Sequence, residues 1–461
     1  MNNEITTLEA AREAIRRYAQ GPLVAPTATA TSVLDDAKAA YAQTMEGYRA
    51  IGLQPSDYLG PIWAHNLERH LIPNIRACQS VEQAIGYLND KAFYDFSCAE
   101  PYLTPSIEWR LQLLSRRHGV SVPALPSTLC ESPHVLREHC KTVDGRRLSS
   151  DFLNRLAWVY RMQEVLAFPQ QQDFSILEVG GGFGALARVF KLLHPRSRLV
   201  LVDIPESLFF QHVFLKASFP DAKHQYVSGP HDTVGDADFV YVPNGFAGVL
   251  AKHEFFLAVN TNSFGEMPER ASSRWLDLVQ RETSTAHVFF LNRFLNRIDK
   301  GLLETRAGHS SWSFHLDDRW EVREWEVDPD YERCPYFQTT LTRNLHVIAS
   351  RRAGGAGELA ALHRRAETIP LEDWCRRPGW SDFKFISGAN YPPLMSRGDL
   401  DLTPDLTRGG TLYTLWALVR LTREPRWIEL LVTYLDYLNG QQAERFFEEI
   451  PTLMRMLPQH G

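Results

Sequence analysis

The spacing of apolar residues changes twice along the chain. Up to about residue 165 they recur at helical intervals, clearest over residues 31–51 and 81–93. Proline-bearing breaks, PYLTPS at 101–106 and VPALPS at 122–127, punctuate that region. Ser149-Ser150-Asp151 reads as a helix start leading into FLNRLAWVYRMQEVLAF. From Phe174 to about Arg352, short apolar runs alternate with helical ones. SILEV is followed by GALARVFKLLH, and RLVLVD by SLFFQHVFLKAS; further strands are expected at 238–243, 255–260 and 287–292, with a helix in ERASSRWLDLVQRE. Continuous apolar strands alternating with helices predict a parallel sheet covered by helices. RWEVREWEV and NLHVIASRR read as a closing pair of strands, for which antiparallel pairing is the expectation. After RRAGGAGELAA, which reads as a linker, the pattern turns helical again, notably in TLYTLWALVRLTREPRWIELLVTYLDYLNG. Three regions follow: a helical one over 1–165, an α/β domain over 166–352 and a helical one over 353–461.

Composition narrows the function classes. The 461 residues are 44% hydrophobic and 23% charged, as in ordinary globular chains, with a formal net charge of -6. That balance gives no electrostatic footprint for nucleic acid. No apolar run reaches the ~20 residues that span a bilayer. The first twenty residues lack the basic-then-apolar layout of a secretory signal. None of the six cysteines forms a C-x-x-C pair, and scattered thiols suggest a reducing compartment, so a cytoplasmic enzyme with small-molecule partners is expected.

The densest chemical signal is ILEVGGGFGALA, residues 176–187, a glycine loop between a predicted strand and a predicted helix. Gly180, Gly182 and Ala185 satisfy the dinucleotide fingerprint G-x-G-x-x-G/A, and Asp203 ends the next strand at the distance where an acidic residue would meet a ribose. An NAD(P)-dependent oxidoreductase therefore stays open, as does a mere tight turn. Glu178 tips the balance. With Gly180, Gly182 and Gly184 it spells E-x-G-x-G-x-G. A helix N-terminus favours the pyrophosphate of a dinucleotide, and a carboxylate beside it works against that anion. S-adenosyl-L-methionine has the opposite need, since it carries an ammonium and a sulfonium. On this reading Glu178 holds the ammonium, the glycines Gly180, Gly181, Gly182 and Gly184 let the backbone approach the ligand, and Asp203 with Ile204 receives the ribose. Asn260 and Thr261, at the end of the FFLAVN strand, lie where ligands sit in open α/β sheets.

Two further segments carry a family resemblance. DIPESLFFQHVFLKASFPDAK, residues 203–223, and NTNSFGEM, residues 260–267, resemble the corresponding segments of the sugar O-methyltransferases, and HVFFLNRFLNRID sits where that family has an aromatic strand ending in polar residues. The resemblance covers roughly residues 174–299, with a weaker echo to 351. It implies a Rossmann-like, seven-stranded class I methyltransferase core, S-adenosyl-L-methionine as cofactor, and O-methylation of a sugar or glycoside. Methylation of a peptide or natural product, or a reaction of the cofactor itself, are the neighbouring alternatives; a scaffold that binds without turnover is another.

Abstraction of a hydroxyl proton calls for a base in the loops after the later strands. Glu266 is the first candidate by position, against a plain role as a helix-start carboxylate. His309, in RAGHSSWSFHL, is the second, ahead of His315. Asp317-Asp318 is only a fragment of a metal-binding pattern, and no metal is expected. Trp63 and Trp312 are candidates to stack on a sugar ring, whereas Trp158, Trp275 and Trp416 sit at core spacing. The N-terminal helices are expected to form a lid, an acceptor wall or a dimer contact.

Overall fold

The computed structural model describes residues 32–54, 58–59, 63–64, 67–90, 103–135, 140–170, 172–264, 267, 269–293, 316, 319–327 and 344–352. They fall into two compact units. The first runs to Ser263 and includes Arg281–Thr285; the second comprises Phe264–Gln280 and the chain from Ala286.

In the first unit, helix α1 (Val33–Ala50) begins where the Ser32 side chain accepts a hydrogen bond from the Asp35 N–H, with Asp35 and Asp36 in the first turn and Arg49 in the last. Both ends suit the helix dipole. Leu34, Ala37, Tyr41, Thr44 and Tyr48 form its buried stripe, at the three- and four-residue steps of one helix face. Helices α2 (Ile72–Ala77), α3 (Val81–Asp90) and α4 (Leu103–His118) follow. A short antiparallel hairpin joins β1 (Lys141–Val143) to β2 (Arg146–Leu148) through Asp144 and Gly145, both at positive φ. Helix α5 (Ser150–Val165) starts where the Ser149 hydroxyl accepts from the Phe152 N–H.

Five parallel strands then form. They are β3 (Phe174–Val179), β4 (Ser197–Asp203), β5 (His224–Tyr226), β6 (Phe239–Pro243) and β7 (Glu254–Thr261), in the order β5-β6-β4-β3-β7. Helix α6 (Ala185–Leu193) connects β3 to β4, and α7 (Pro205–Ser218) follows β4. The cores of β3, β4, β6 and β7 are buried almost throughout, which is why these strands read as unbroken apolar runs. The chain builds outward from β3 through β4 and β6 and then returns to β3's other side as β7. Strand order therefore reverses between β3 and β7, which is the ligand-binding position of a Rossmann-like sheet.

Helix α1 packs along α7. The Tyr41 hydroxyl donates to Glu206 Oε1 at 2.8 Å, and Lys216 pairs with Asp36. The Tyr48 hydroxyl donates to Asn244 Oδ1 at 2.5 Å and accepts from the Gly245 N–H at 2.8 Å, pinning the loop after β6. The helices before residue 165 and the strands after it thus belong to one unit.

The second unit holds α8 (Glu269–Asp277), the strand β8 (Ser284–Arg293) from Ala286 onward, and the strands β9 (Trp320–Val327) and β10 (Asn344–Arg351). Strand β10 runs antiparallel to both β8 and β9, with a bulge at Ile348/Ala349. The expected antiparallel closing pair is therefore present as β9 and β10. Seven of the strands answer the seven expected of the α/β domain, and the three-residue β5 is additional. Among the described residues no helix is long and apolar enough to cross a membrane, and Cys78, Cys130 and Cys140 are free thiols.

Candidate functional site

The loop after β3 is held by its glycines. Gly180, Gly182 and Gly184 have φ of 72°, 64° and 93°, a region that side-chain-bearing residues avoid. Gly181 is needed for a different reason: a Cβ there would lie 2.9 Å from Glu178 Cδ. The Gly180 N–H donates to Val202 O at 2.8 Å and the Gly184 N–H to Gly181 O at 3.0 Å, so the loop is closed onto the strand ends before α6 begins.

Glu178 lies beneath this loop. It is 1% exposed, and among the described residues neither carboxyl oxygen has a hydrogen-bond partner. Burial pushes its pKa up to about 8; the positive charge of Arg155 opposes the rise, Asp203 adds to it, and the Ala187 N–H opposes it weakly. A buried carboxyl with no close donor among the described residues is costly to ionise and calls for a partner.

Asp203, at the tip of β4, is better provided. It accepts from the Ile204 N–H at 2.8 Å, the Gly182 N–H at 3.2 Å and Gln211 Nε2 at 2.9 Å. Burial still raises its pKa to about 7 against these hydrogen bonds. Gln211 also donates to Gly182 O at 3.0 Å and so ties the loop to the acid. Along the chain Gln211 carries no signal beyond being a polar residue inside the apolar run LFFQHVF.

Asn260 is fully buried at the end of β7. Its Nδ2 donates to Val179 O at 2.8 Å and to Ser263 Oγ at 2.5 Å, and the Ser263 hydroxyl lies 3.3 Å from the same carbonyl. Asn260 thereby fixes the end of β7 against the end of β3, at the reversal of strand order. Thr261, the last residue of β7, is half-buried, and Asn262 beyond it is left-handed at φ 60°.

The structure thus brings Glu178, Gly180, Gly181, Gly182, Gly184, Asp203, Ile204 and Asn260 together at the carboxyl ends of β3, β4 and β7. The proposed bases Glu266 and His309 lie outside the described residues, as do His315, Asp317, Asp318, Trp312 and Trp416. Trp63 is half-buried, while Trp158 and Trp275 are buried as expected for core positions. Among the described residues no group of three His, Cys, Asp or Glu side chains is placed to hold a metal ion.

No protein-family model matches the chain, and no curated protein matches it. Solved structures similar to it include three methyltransferase or biosynthetic proteins. The magnesium protoporphyrin IX methyltransferase of Synechocystis PCC 6803, with bound SAH, is 9% identical, over 43% of this chain and 81% of that one, at a TM-score of 0.29. The pyocyanin biosynthetic protein PhzM is 15% identical, over 61% and 76%, at 0.29. The mitomycin 7-O-methyltransferase MmcR is 10% identical, over 44% and 57%, at 0.27. Likeness at that level bears on neither substrate nor activity.

Proposed function

We propose that this chain is an S-adenosyl-L-methionine-dependent methyltransferase that methylates a hydroxyl of a sugar or glycoside. The observation that carries the cofactor reading is the Glu178 carboxyl, buried under the glycine loop and without a hydrogen-bond donor among the described residues. A dinucleotide would bring a pyrophosphate toward two buried acids and would hold Glu178 in its protonated form. A ligand with an ammonium supplies what Glu178 lacks and lowers the cost of its ionisation. Asp203, one strand over, is held in place by Gly182 and Gln211 on Oδ2 and by Ile204 on Oδ1, which leaves Oδ1 as the atom to receive a ribose hydroxyl.

The acceptor class is supported by the resemblance of residues 203–223 and 260–267 to sugar O-methyltransferases. Bound S-adenosyl-L-methionine would supply an activated methyl group to the acceptor oxygen, and the acceptor's proton would pass to a base, for which Glu266 and His309 are the candidates. The chain contributes alignment of the two reactants and exclusion of water. Incubating the protein with methyl-labelled cofactor and separate panels of sugars, glycosides, peptides and phenolic natural products tests this. Label transferred to a sugar hydroxyl supports the reading. Label found only in peptide or phenol moves the acceptor class and leaves the cofactor reading intact.

A further inference from the structure

Helix α5 lies beside α6 and runs the same way. Near its start the Phe152 ring meets the Arg188 guanidinium of α6, 5.9 Å from the ring centre; near its end Gln163 Nε2 lies 2.8 Å from His194 Nε2, at the C-cap of α6. The first turns of α5 are thereby carried to the end of α6 at which the glycine loop lies. One stripe of α5, at steps of four and three residues, holds Asp151, Arg155 and Trp158. Asp151 Oδ1 pairs with Arg155 at 2.8 Å, and the Arg155 guanidinium lies over the Trp158 ring, 4.5 Å from its centre. The Trp158 indole is buried, and among the described residues its Nε1–H has no acceptor. Here α5 offers the buried Trp158 N–H, which lacks an acceptor among the described residues, beside a guanidinium paired with Asp151, while the tip of β3 offers in Glu178 a carboxyl with no hydrogen-bond donor among them. Burial disfavours the ionised form of Glu178, and the charge of Arg155 is the largest influence opposing it, so the two groups are close enough to act on one another.

The end of a free α-amino acid carries both missing groups. We propose that Arg155 and Trp158 receive the carboxylate, and Glu178 the ammonium, of the amino-acid end of the cofactor; this rests on the cofactor reading above. Asp151 is then a positioning residue that holds the guanidinium fork in place. The arrangement selects for ligands whose amino-acid end is intact and against those that have lost either charge.

The test is calorimetric titration of the full chain with three ligands. They are S-adenosylhomocysteine, its decarboxylated analogue S-adenosyl-3-thiopropylamine, and 5′-methylthioadenosine, which lacks the whole amino-acid end. Loss of a charge-assisted contact amounts to roughly 10- to 100-fold in affinity. The wild type should prefer the intact ligand to the decarboxylated one by about that factor. Arg155→Met should abolish this preference while binding 5′-methylthioadenosine as the wild type does, which also shows that the variant is folded. Trp158→Phe, which keeps the ring and removes the N–H, should reduce it in part. Glu178→Gln should weaken both ammonium-bearing ligands and leave 5′-methylthioadenosine unchanged. An unchanged preference in Arg155→Met, or equal loss of all three ligands in both Arg155→Met and Arg155→Lys, overturns the clamp and leaves the cofactor reading standing. Failure of the wild type to bind any adenosyl ligand overturns both.

Discussion

Gly181 and Glu178 are in such close approach that a single methyl group on the glycine would meet the carboxyl carbon at 2.9 Å. The loop residue and the buried acid are shaped to each other, and the acid's conformation depends on the glycine. The backbone of Gly181 is not among those at positive φ, so alanine is tolerated there by the chain and excluded only by the neighbouring side chain. Gly181→Ala should destabilise the protein by about 1–3 kcal/mol through overpacking. In a Glu178→Ala background most of that cost should vanish. A double-mutant cycle of denaturant melts measures the coupling; additive effects would place the strain elsewhere.

Gln211 bridges Asp203 and the carbonyl of Gly182. Gln211→Leu removes both contacts, so the Asp203 pKa should rise further and the loop should lose a tether. Affinity for S-adenosylhomocysteine should fall roughly 10- to 150-fold at neutral pH, the equivalent of about 1.5–3 kcal/mol for a hydrogen bond to a charged group. Because Asp203 is then harder to ionise, the deficit should narrow as pH is raised. A deficit that stays constant with pH would mean that Gln211 acts only through the loop.

Stability should depend on pH in two opposed ways. Glu178 and Asp203 have folded pKa values of about 8 and 7, above their unfolded values, so the folded state keeps protons the unfolded state has lost. Their contribution is fully present below about pH 4 and is lost as pH rises to 7–8. His212 and His194 behave oppositely: burial lowers them to about 3 and about 4, and the stability tied to their neutral forms is present above pH 6.5 and lost as pH falls. His212 is 5% exposed and neither ring nitrogen has a partner among the described residues, so it has nothing to stabilise its charged form. The melting temperature of the ligand-free protein should therefore change little between about pH 4.5 and 6.5 and fall on both sides. Glu178→Gln should flatten the alkaline limb, and His212→Phe the acid limb. Limbs unaffected by these changes would assign the titration to other groups.

Tyr48 reaches from α1 to the loop after β6, 196 residues away in sequence, where it donates to Asn244 and accepts from the Gly245 N–H. Tyr48→Phe leaves the half-buried Gly245 N–H without its acceptor and should cost about 1–3 kcal/mol. A Cβ on Gly245 would lie 2.5 Å from Leu53 Cδ2 and 2.8 Å from the Tyr48 ring, so Gly245→Ala should undock the same helix. Amide exchange over residues 33–50 should quicken in both variants. Unchanged exchange would show that α1 is held by its contacts with α7 alone.

What the sequence made legible were features whose causes are local. The unbroken apolar runs marked β3, β4, β6 and β7, since strands buried on both faces need no alternation. Ser32 and Ser149 cap the helices that the periodicity had placed, and the glycine loop stood out because left-handed φ at Gly180, Gly182 and Gly184 admits little else. The hairpin at Asp144-Gly145 was passed over, although Asp-Gly between two short runs is a turn signal. Strand β5 is three half-buried residues and leaves no pattern to read. Long-range ties such as Tyr41 to Glu206 and Tyr48 to Asn244 leave no trace in periodicity, because each residue only occupies an ordinary position on its own helix or loop. Gln211 and Arg155 were missed for the same reason: what they do depends on neighbours that the fold brings near, not on spacing along the chain.

The most direct test is calorimetric titration of the full chain with S-adenosylhomocysteine and, in parallel, NADH, in two buffers of different ionisation enthalpy at pH 7. S-adenosylhomocysteine alone should bind, with release of protons as Glu178 and Asp203 ionise, and that binding should be lost in Asp203→Ala. Binding of NADH instead, or of S-adenosylhomocysteine without any proton release and unaffected by Asp203→Ala, would contradict the cofactor reading.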